Sequence, residues 1–147
     1  MAFLLVDEIL LFKKGESIIA VKNVSTLKDY FLGHIYLGTI LPYTLAIESV
    51  AQAAGWLITA SLDFKKRGLL INLNMLEFNS VIRPGDQLLL EAEVISLRED
   101  YAILTGRAKV DGRVIGKVDS GLCILVDTNK IDDVERTKYL FSTLMKI

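Results

Sequence analysis

The chain has 147 residues, 17 basic and 18 acidic side chains and a net charge of -1, which excludes the strong basic character of a nucleic-acid binder or a membrane-surface protein. Hydrophobic residues make up 52% and charged residues 24%, so the chain is globular rather than disordered and long enough to bury about two-thirds of its unfolded surface. The mean hydropathy is positive, which implies more apolar surface than a small monomer hides and points to an oligomer interface.

The N-terminal apolar stretch is broken by Asp7 and Glu8 and makes a poor signal peptide. Ile18, Ile19, Val21 and Val24 predict a strand over Glu16–Val24, after a turn at Lys14-Gly15. A loop rich in aromatic and small residues spans Leu27 to Leu41. Pro42, with its φ preset, opens a helix predicted to run to about Phe64. That helix is apolar on nearly every face, the mark of a helix buried on all sides. Lys65, Lys66 and Arg67 stand where cations favour the C-terminal end of the helix dipole, and Gly68 is the expected stop.

Beyond Gly68 the period becomes strand-like. Strands are predicted over Leu69–Phe78, Gln87–Leu97 and Tyr101–Val110, the last two joined by a turn at Glu99-Asp100. Asp111-Gly112 is the strongest hairpin signal, because a type I′ turn needs positive φ at both positions. It leads into a long strand, Val114–Val126, and Val134, Leu140, Phe141 and Leu144 mark an amphipathic C-terminal helix from about residue 131. With two prolines and no low-complexity linker, the chain reads as a single domain. A strand, one apolar helix and then a run of antiparallel strands is an α+β order, and a curved sheet wrapped around the helix is the economical way to bury it. The sheet edges would be blunted by pairing across a dimer.

Chemistry is sparse. The single charge between Pro42 and Leu62 is Glu48, with Gln52 at i+4 on the same face. A carboxylate among Ile47, Val50 and Ala51 is costly to ionise unless paired, and a raised pKa suits a general acid; a Glu bonded to Gln52 or turned to the helix surface is the alternative. His34 is the only histidine and lies in the loop before the helix. It is either a proton carrier aimed at the helix or a half-buried ring bonded to a backbone carbonyl. The single Cys123, in the apolar run Leu122–Val126, reads as a core residue in a reducing compartment. One histidine and one cysteine make a metal site a poor reading. Ser49 and Ser61 lie in the helix with no nucleophile elbow, and no phosphate-cradling glycine loop exists. The interruptions at Pro42, Glu48, Gln52 and Gly55 argue against a membrane span, so a soluble cytoplasmic protein is expected.

From Phe3 to about Val126 the chain resembles the β-hydroxyacyl-acyl-carrier-protein dehydratases. Phe3-Leu4-Leu5-Val6-Asp7 is similar to the family's P-F-L-L-V-D segment, and Ala20-Val21-Lys22-Asn23-Val24 to the strand that follows. Gly33-His34 matches the glycine–histidine that carries the catalytic histidine. Fourteen residues on, Glu48-Ser49-Val50-Ala51-Gln52-Ala53-Ala54-Gly55 matches the E-A-L-A-Q-A-A-G helix with the catalytic glutamate. Arg83-Pro84-Gly85-Asp86-Gln87-Leu88 matches the P-G-D-Q-L run into the next strand. Between histidine and helix the family reads H-F-P-G-N-P-V-F-P-G, whereas this chain keeps Pro42, lacks the two loop prolines and has Tyr43 in place of the glycine that opens the helix.

The resemblance implies a hot-dog fold and reversible loss of water from a (3R)-hydroxyacyl thioester on acyl carrier protein, without cofactor or metal. His34 would take the α-proton and Glu48 would hold or protonate the departing hydroxyl, the two coming from different subunits of a homodimer or higher homo-oligomer. Amides of Tyr43 and Thr44 at the helix start would bind the thioester carbonyl, and Gln52 would orient Glu48 or a water. Lys65, Lys66, Arg67 and Arg83 would meet the acidic carrier protein, or are simply solvated cations. The rival readings are a hot-dog acyl thioesterase, an (R)-specific enoyl hydratase using Asp29 and His34 (with Phe31 where that family has asparagine), and a non-catalytic acyl-binding paralogue.

Overall fold

The computed structural model describes residues 5–24 and 43–147. The loop expected from Leu27 to Leu41, with His34, and the predicted helix opening at Pro42 lie outside the described residues. Among the described residues, six strands and two α-helices follow in chain order: β1 Glu8–Lys13, β2 Ser17–Asn23, α1 Tyr43–Ser61, β3 Lys66–Phe78, β4 Gln87–Leu97, β5 Tyr101–Val110, β6 Arg113–Asp127 and α2 Val134–Met145. The strands form one antiparallel sheet in the order β1-β2-β4-β5-β6-β3. Strand β1 was not predicted; the others begin and end at or near their expected limits.

The sheet presents one face to α1 by simple alternation. In β4, Leu88, Leu90 and Ala92 point inward and Glu91 and Glu93 outward. β5 continues the inner face with Ala102, Leu104, Gly106 and Ala108, and β6 with Val118, Gly121 and Cys123. The small residues let α1 come close: a Cβ on Gly106 would lie 2.7 Å from Val50 Cγ1. Register shifts in four of the five strand pairs mark bulges, which bend a sheet so that it curves about a helix. Helix α1 touches β2, β3, β4 and β5. The hairpin between β5 and β6 has φ of 51° at Asp111 and 76° at Gly112, as the type I′ signal required.

Two expectations for α1 need correction. The helix stops at Ser61, well before Gly68. The Phe64 amide donates to the Thr59 carbonyl (2.9 Å) and the Asp63 amide to that of Ala60 (3.2 Å), the paired bonds of a Schellman ending. Asp63, at φ 55°, takes the left-handed position usually given to glycine. Gly68 belongs to β3 instead, where a Cβ would meet Ile58 Cγ2 at 3.1 Å, so its role is close approach to α1. Lys66 and Arg67 are strand residues, not cations at a helix end.

Nor is α1 covered on all sides. Ala46, Val50, Ala53, Ala54, Leu57 and Ile58 are buried on the sheet, while Glu48 is exposed and Gln52 and Trp56 are half-buried on the other side. α2 opens with Asp133 as its N-cap, whose carboxylate accepts from the Glu135 amide at 2.9 Å. Among the described residues, no helix is long and apolar enough to cross a membrane.

Candidate functional site

Three residues one helical turn apart, Glu48, Gln52 and Trp56, run along the uncovered side of α1. With Ala51, Gly55 and Thr59 they form one wall of a groove of about 420 Å³, whose other wall is Arg67, Gly68, Leu69 and Leu70 of β3. That volume is in the range of small-ligand sites. The walls are apolar apart from Glu48 and Gln52 towards one end and Thr59 and Arg67 towards the other.

The Gln52 amide is held in one orientation. Its Oε1 accepts the Leu5 backbone N–H at 2.9 Å, which leaves Nε2 to donate to Glu48 Oε1 at 3.3 Å. The Leu5 backbone thus sets the amide that steadies the carboxylate. The predicted Glu48–Gln52 contact is present, but the apolar surroundings expected of Glu48 are not: within one protomer its side chain stands at the open surface of the groove. The helix residues beside it, Ile47 and Ala51, are only half-buried, so its own chain leaves this carboxylate in reach of water.

Tyr43 and Thr44 are the first residues of α1, where helix geometry leaves amides without partners inside the helix. The Tyr43 ring lies 5.4 Å from the ring of Phe78, at the end of β3. Phe78 in turn covers Gly116, its cross-strand partner, at a place where any side chain would collide with the ring. A tyrosine at this position therefore finds a seat on the sheet, and its side chain is directed to Phe78.

The basic residues divide. Lys66 donates to the Glu99 carbonyl at 2.8 Å, and Arg67 pairs with Asp132 at 3.2 Å. Lys65 and Arg83 are exposed. Asp29 and Phe31 fall outside the described residues with His34. Among the described residues, no group of three or more His, Cys, Asp or Glu is arranged to hold a metal ion. Cys123 is buried, and burial pushes its thiol up to about 11, the behaviour of an inert core thiol.

Trp56, Leu69 and Leu70 were not singled out from sequence, and Arg67 only as a surface cation, yet they build the groove. For Trp56 a signal was present: it continues the four-residue ladder of Glu48 and Gln52. A second unforeseen feature is Lys22, which points to the inner face of β2 with 1% of its side chain exposed and pairs with Asp7 at 3.5 Å. Asp7 Oδ2 also accepts the Asn23 N–H at 2.6 Å, so the N-terminal segment is fastened to β2 by a charged bond.

Comparison with known proteins places this geometry. The family model for the FabA-like domain matches residues 1–119. The 3-hydroxyacyl-[acyl-carrier-protein] dehydratase FabZ of Shewanella oneidensis is 38% identical over 118 residues, covering 77% of this chain and 77% of the relative. The FabZ of Coxiella burnetii is 36% identical over 121 residues, covering 80% of this chain and 85% of the relative. Among solved structures, smu.793 from Streptococcus mutans bound to acetyl CoA aligns with a TM-score of 0.66 at 11% identity, over 82% of this chain and 88% of the other; this likeness concerns the fold alone. The fold is the α+β hot-dog arrangement that the resemblance implied. With its glutamate and glutamine one turn apart on the open side of the central helix, and with this similarity across most of its length, the chain belongs to the FabA-like family.

Proposed function

We propose that the protein catalyses the reversible dehydration of (3R)-hydroxyacyl thioesters, carried on acyl carrier protein, to trans-2-enoyl thioesters in fatty-acid or related acyl-chain synthesis. The observation that carries this reading is the Glu48–Gln52 pair at one end of a groove whose middle is lined by Ala51, Gly55, Trp56, Leu69 and Leu70, in a chain 38% identical to a named dehydratase. An acyl chain fits the apolar walls, and the reacting carbons would lie at the Glu48 end.

In the forward direction His34 accepts the proton from the α-carbon, and the electron pair left behind forms the new double bond as the β-hydroxyl departs. Glu48 donates the proton that turns this hydroxyl into water. Negative charge on the thioester oxygen is met by the amides of Tyr43 and Thr44 at the positive end of the helix dipole. Gln52 holds Glu48 in position. Two proton transfers and a carbon–oxygen cleavage complete the reaction, so neither metal nor cofactor is required.

The site needs a second copy of the chain. Glu48 lies on the exposed side of α1, and β3, the other wall of the groove, is an edge strand with Leu69 44% and Ile71 55% exposed. A homodimer meeting along β3 would cover this apolar edge, desolvate Glu48 and bring the partner subunit's His34 to the groove. The exposed Lys65 and Arg83 offer positive charge to an acidic carrier protein. We read the whole chain as one domain, α2 included, and place it in the cytoplasm, where the reduced Cys123 and the carrier-bound substrate are at home.

Water addition to an enoyl-carrier-protein substrate tests the reading. Hydration by the wild type, lost in both His34→Ala and Glu48→Gln, is expected. Release of free thiol would instead mark a thioesterase, and binding without turnover an acyl-binding paralogue.

A further inference from the structure

The family match ends at residue 119, yet two residues beyond it reach back to the groove. Phe141 of α2 is buried, with its ring 5.9 Å from Trp56, 5.3 Å from Phe64 and 5.4 Å from Phe12. Asp132, just before α2, pairs with Arg67 at 3.2 Å and with Arg136 at 3.3 Å. Trp56 and Arg67 are both wall residues of the groove. They lie towards the end remote from the chemistry: eight residues of helix separate Trp56 from Glu48, about 12 Å along the axis. The C-terminal segment therefore holds the far end of the groove in place from behind.

We propose that this segment is a chain-length stop: Phe141 and Asp132 fix Trp56 and Arg67 as the floor against which the distal end of the acyl chain comes to rest. The proposal rests on the acyl-thioester reading of the groove. The indole rests on Phe141, a ring itself wedged between Phe12 and Phe64, so it cannot swing towards α2 to admit further methylenes without moving that cluster, and close-packed side chains yield little. An arginine pinned beside it, with its counter-ion, makes the same end unfavourable to hydrocarbon. Each methylene that does not fit forfeits its transfer from water, so the limit on length is steep.

The test uses the full chain as wild type, Phe141→Ala, Phe141→Leu and Trp56→Ala. Two readouts are taken: hydration of enoyl thioesters of increasing length, and calorimetric binding of butyryl and dodecanoyl N-acetylcysteamine thioesters. Trp56→Ala is expected to raise the long-to-short ratio of kcat/KM, and dodecanoyl affinity relative to butyryl, by about tenfold or more. Phe141→Ala should do the same by loosening the indole, with its short-chain rate within about threefold of wild type, while Phe141→Leu, which keeps α2 seated, should retain the wild-type profile. Should Phe141→Ala fail to fold, Trp56→Ala carries the test. Unchanged length profiles in folded Trp56→Ala, by both readouts, would overturn the stop. A wild type that binds acyl thioesters but hydrates none would overturn the dehydratase reading, and the binding ratios would still judge the stop.

Discussion

Gln52 donates to Glu48 at 3.3 Å while its carbonyl oxygen receives the Leu5 amide at 2.9 Å, so a backbone group of the N-terminal segment decides which way the glutamine faces. The carboxylate is thereby oriented by a residue 47 positions before the glutamine. Removal of the charge and removal of its support should differ in kind. Glu48→Gln at an exposed position should leave thermal stability within about 0.5 kcal/mol while lowering hydration kcat by about 10² or more. Gln52→Ala should lower kcat less and cost about 1–2 kcal/mol, because the Leu5 N–H loses its acceptor. Melting curves alongside kcat check both; equal loss of activity in the two variants would contradict a supporting role for Gln52.

The Asp7–Lys22 pair offers a double-mutant cycle. Lys22 is 1% exposed and Asp7 36%, so Asp7→Ala leaves a buried ammonium without its counter-ion and is expected to cost about 2–3 kcal/mol in urea unfolding. Lys22→Met in the same background should recover most of that loss, since the cost lies in the uncompensated charge rather than in the missing contact. Additive losses would refute this account.

Close approach of α1 to β5 predicts a clash with a cure. Gly106→Ala puts a methyl 2.7 Å from Val50 Cγ1 and should destabilise by about 1–3 kcal/mol. Adding Val50→Ala makes room, so the double variant should be more stable than the sum of the single effects. Chemical denaturation of the four proteins measures the coupling.

Glu91 on the outer face of β4 predicts an acid-side signature. Burial would push its carboxyl up, but bonds from Arg107 (3.1 Å) and Lys109 (2.7 Å) outweigh burial and hold it below its ordinary value. A carboxylate with a depressed folded-state pKa stabilises above its unfolded pKa, and that contribution is lost as pH falls through the folded value. Glu91→Gln should therefore be less stable near neutrality by about 1 kcal/mol and should lose less stability than wild type between neutral and acid pH. Melting temperatures from neutral to acid pH test it; parallel curves would show no linkage.

What the sequence disclosed follows from where each signal is local. β4 and β5 have their predicted limits because alternation of Leu88, Leu90 and Ala92 with Glu91 and Glu93 is set by a sheet half in water. Strand β1 escaped because its bulge between Ile9 and Leu11 breaks the alternation, leaving Leu10 and Leu11 exposed. The end of α1 was misplaced because Asp63 does there what glycine usually does. The helix was read as enclosed because residues that line the groove, such as Ala51, Gly55 and Trp56, are as apolar as those that meet the sheet. Glu48 and Gln52 were legible through i+4 spacing, whereas the Leu5 amide and the wall from β3 are tertiary partners that no local pattern encodes.

The two rims of the sheet are not alike. β1 is six residues long and is joined to α2 by the edge-to-face contact of Phe12 with Phe141 and by Lys146 to Glu8 at 2.9 Å. β3, at 13 residues, is more than twice that length and has no neighbour on its outer side among the described residues. In the proposed dimer, two molecules meeting along β3 would each use up the other's longer margin, while the shorter β1 margin of each stays tied to α2.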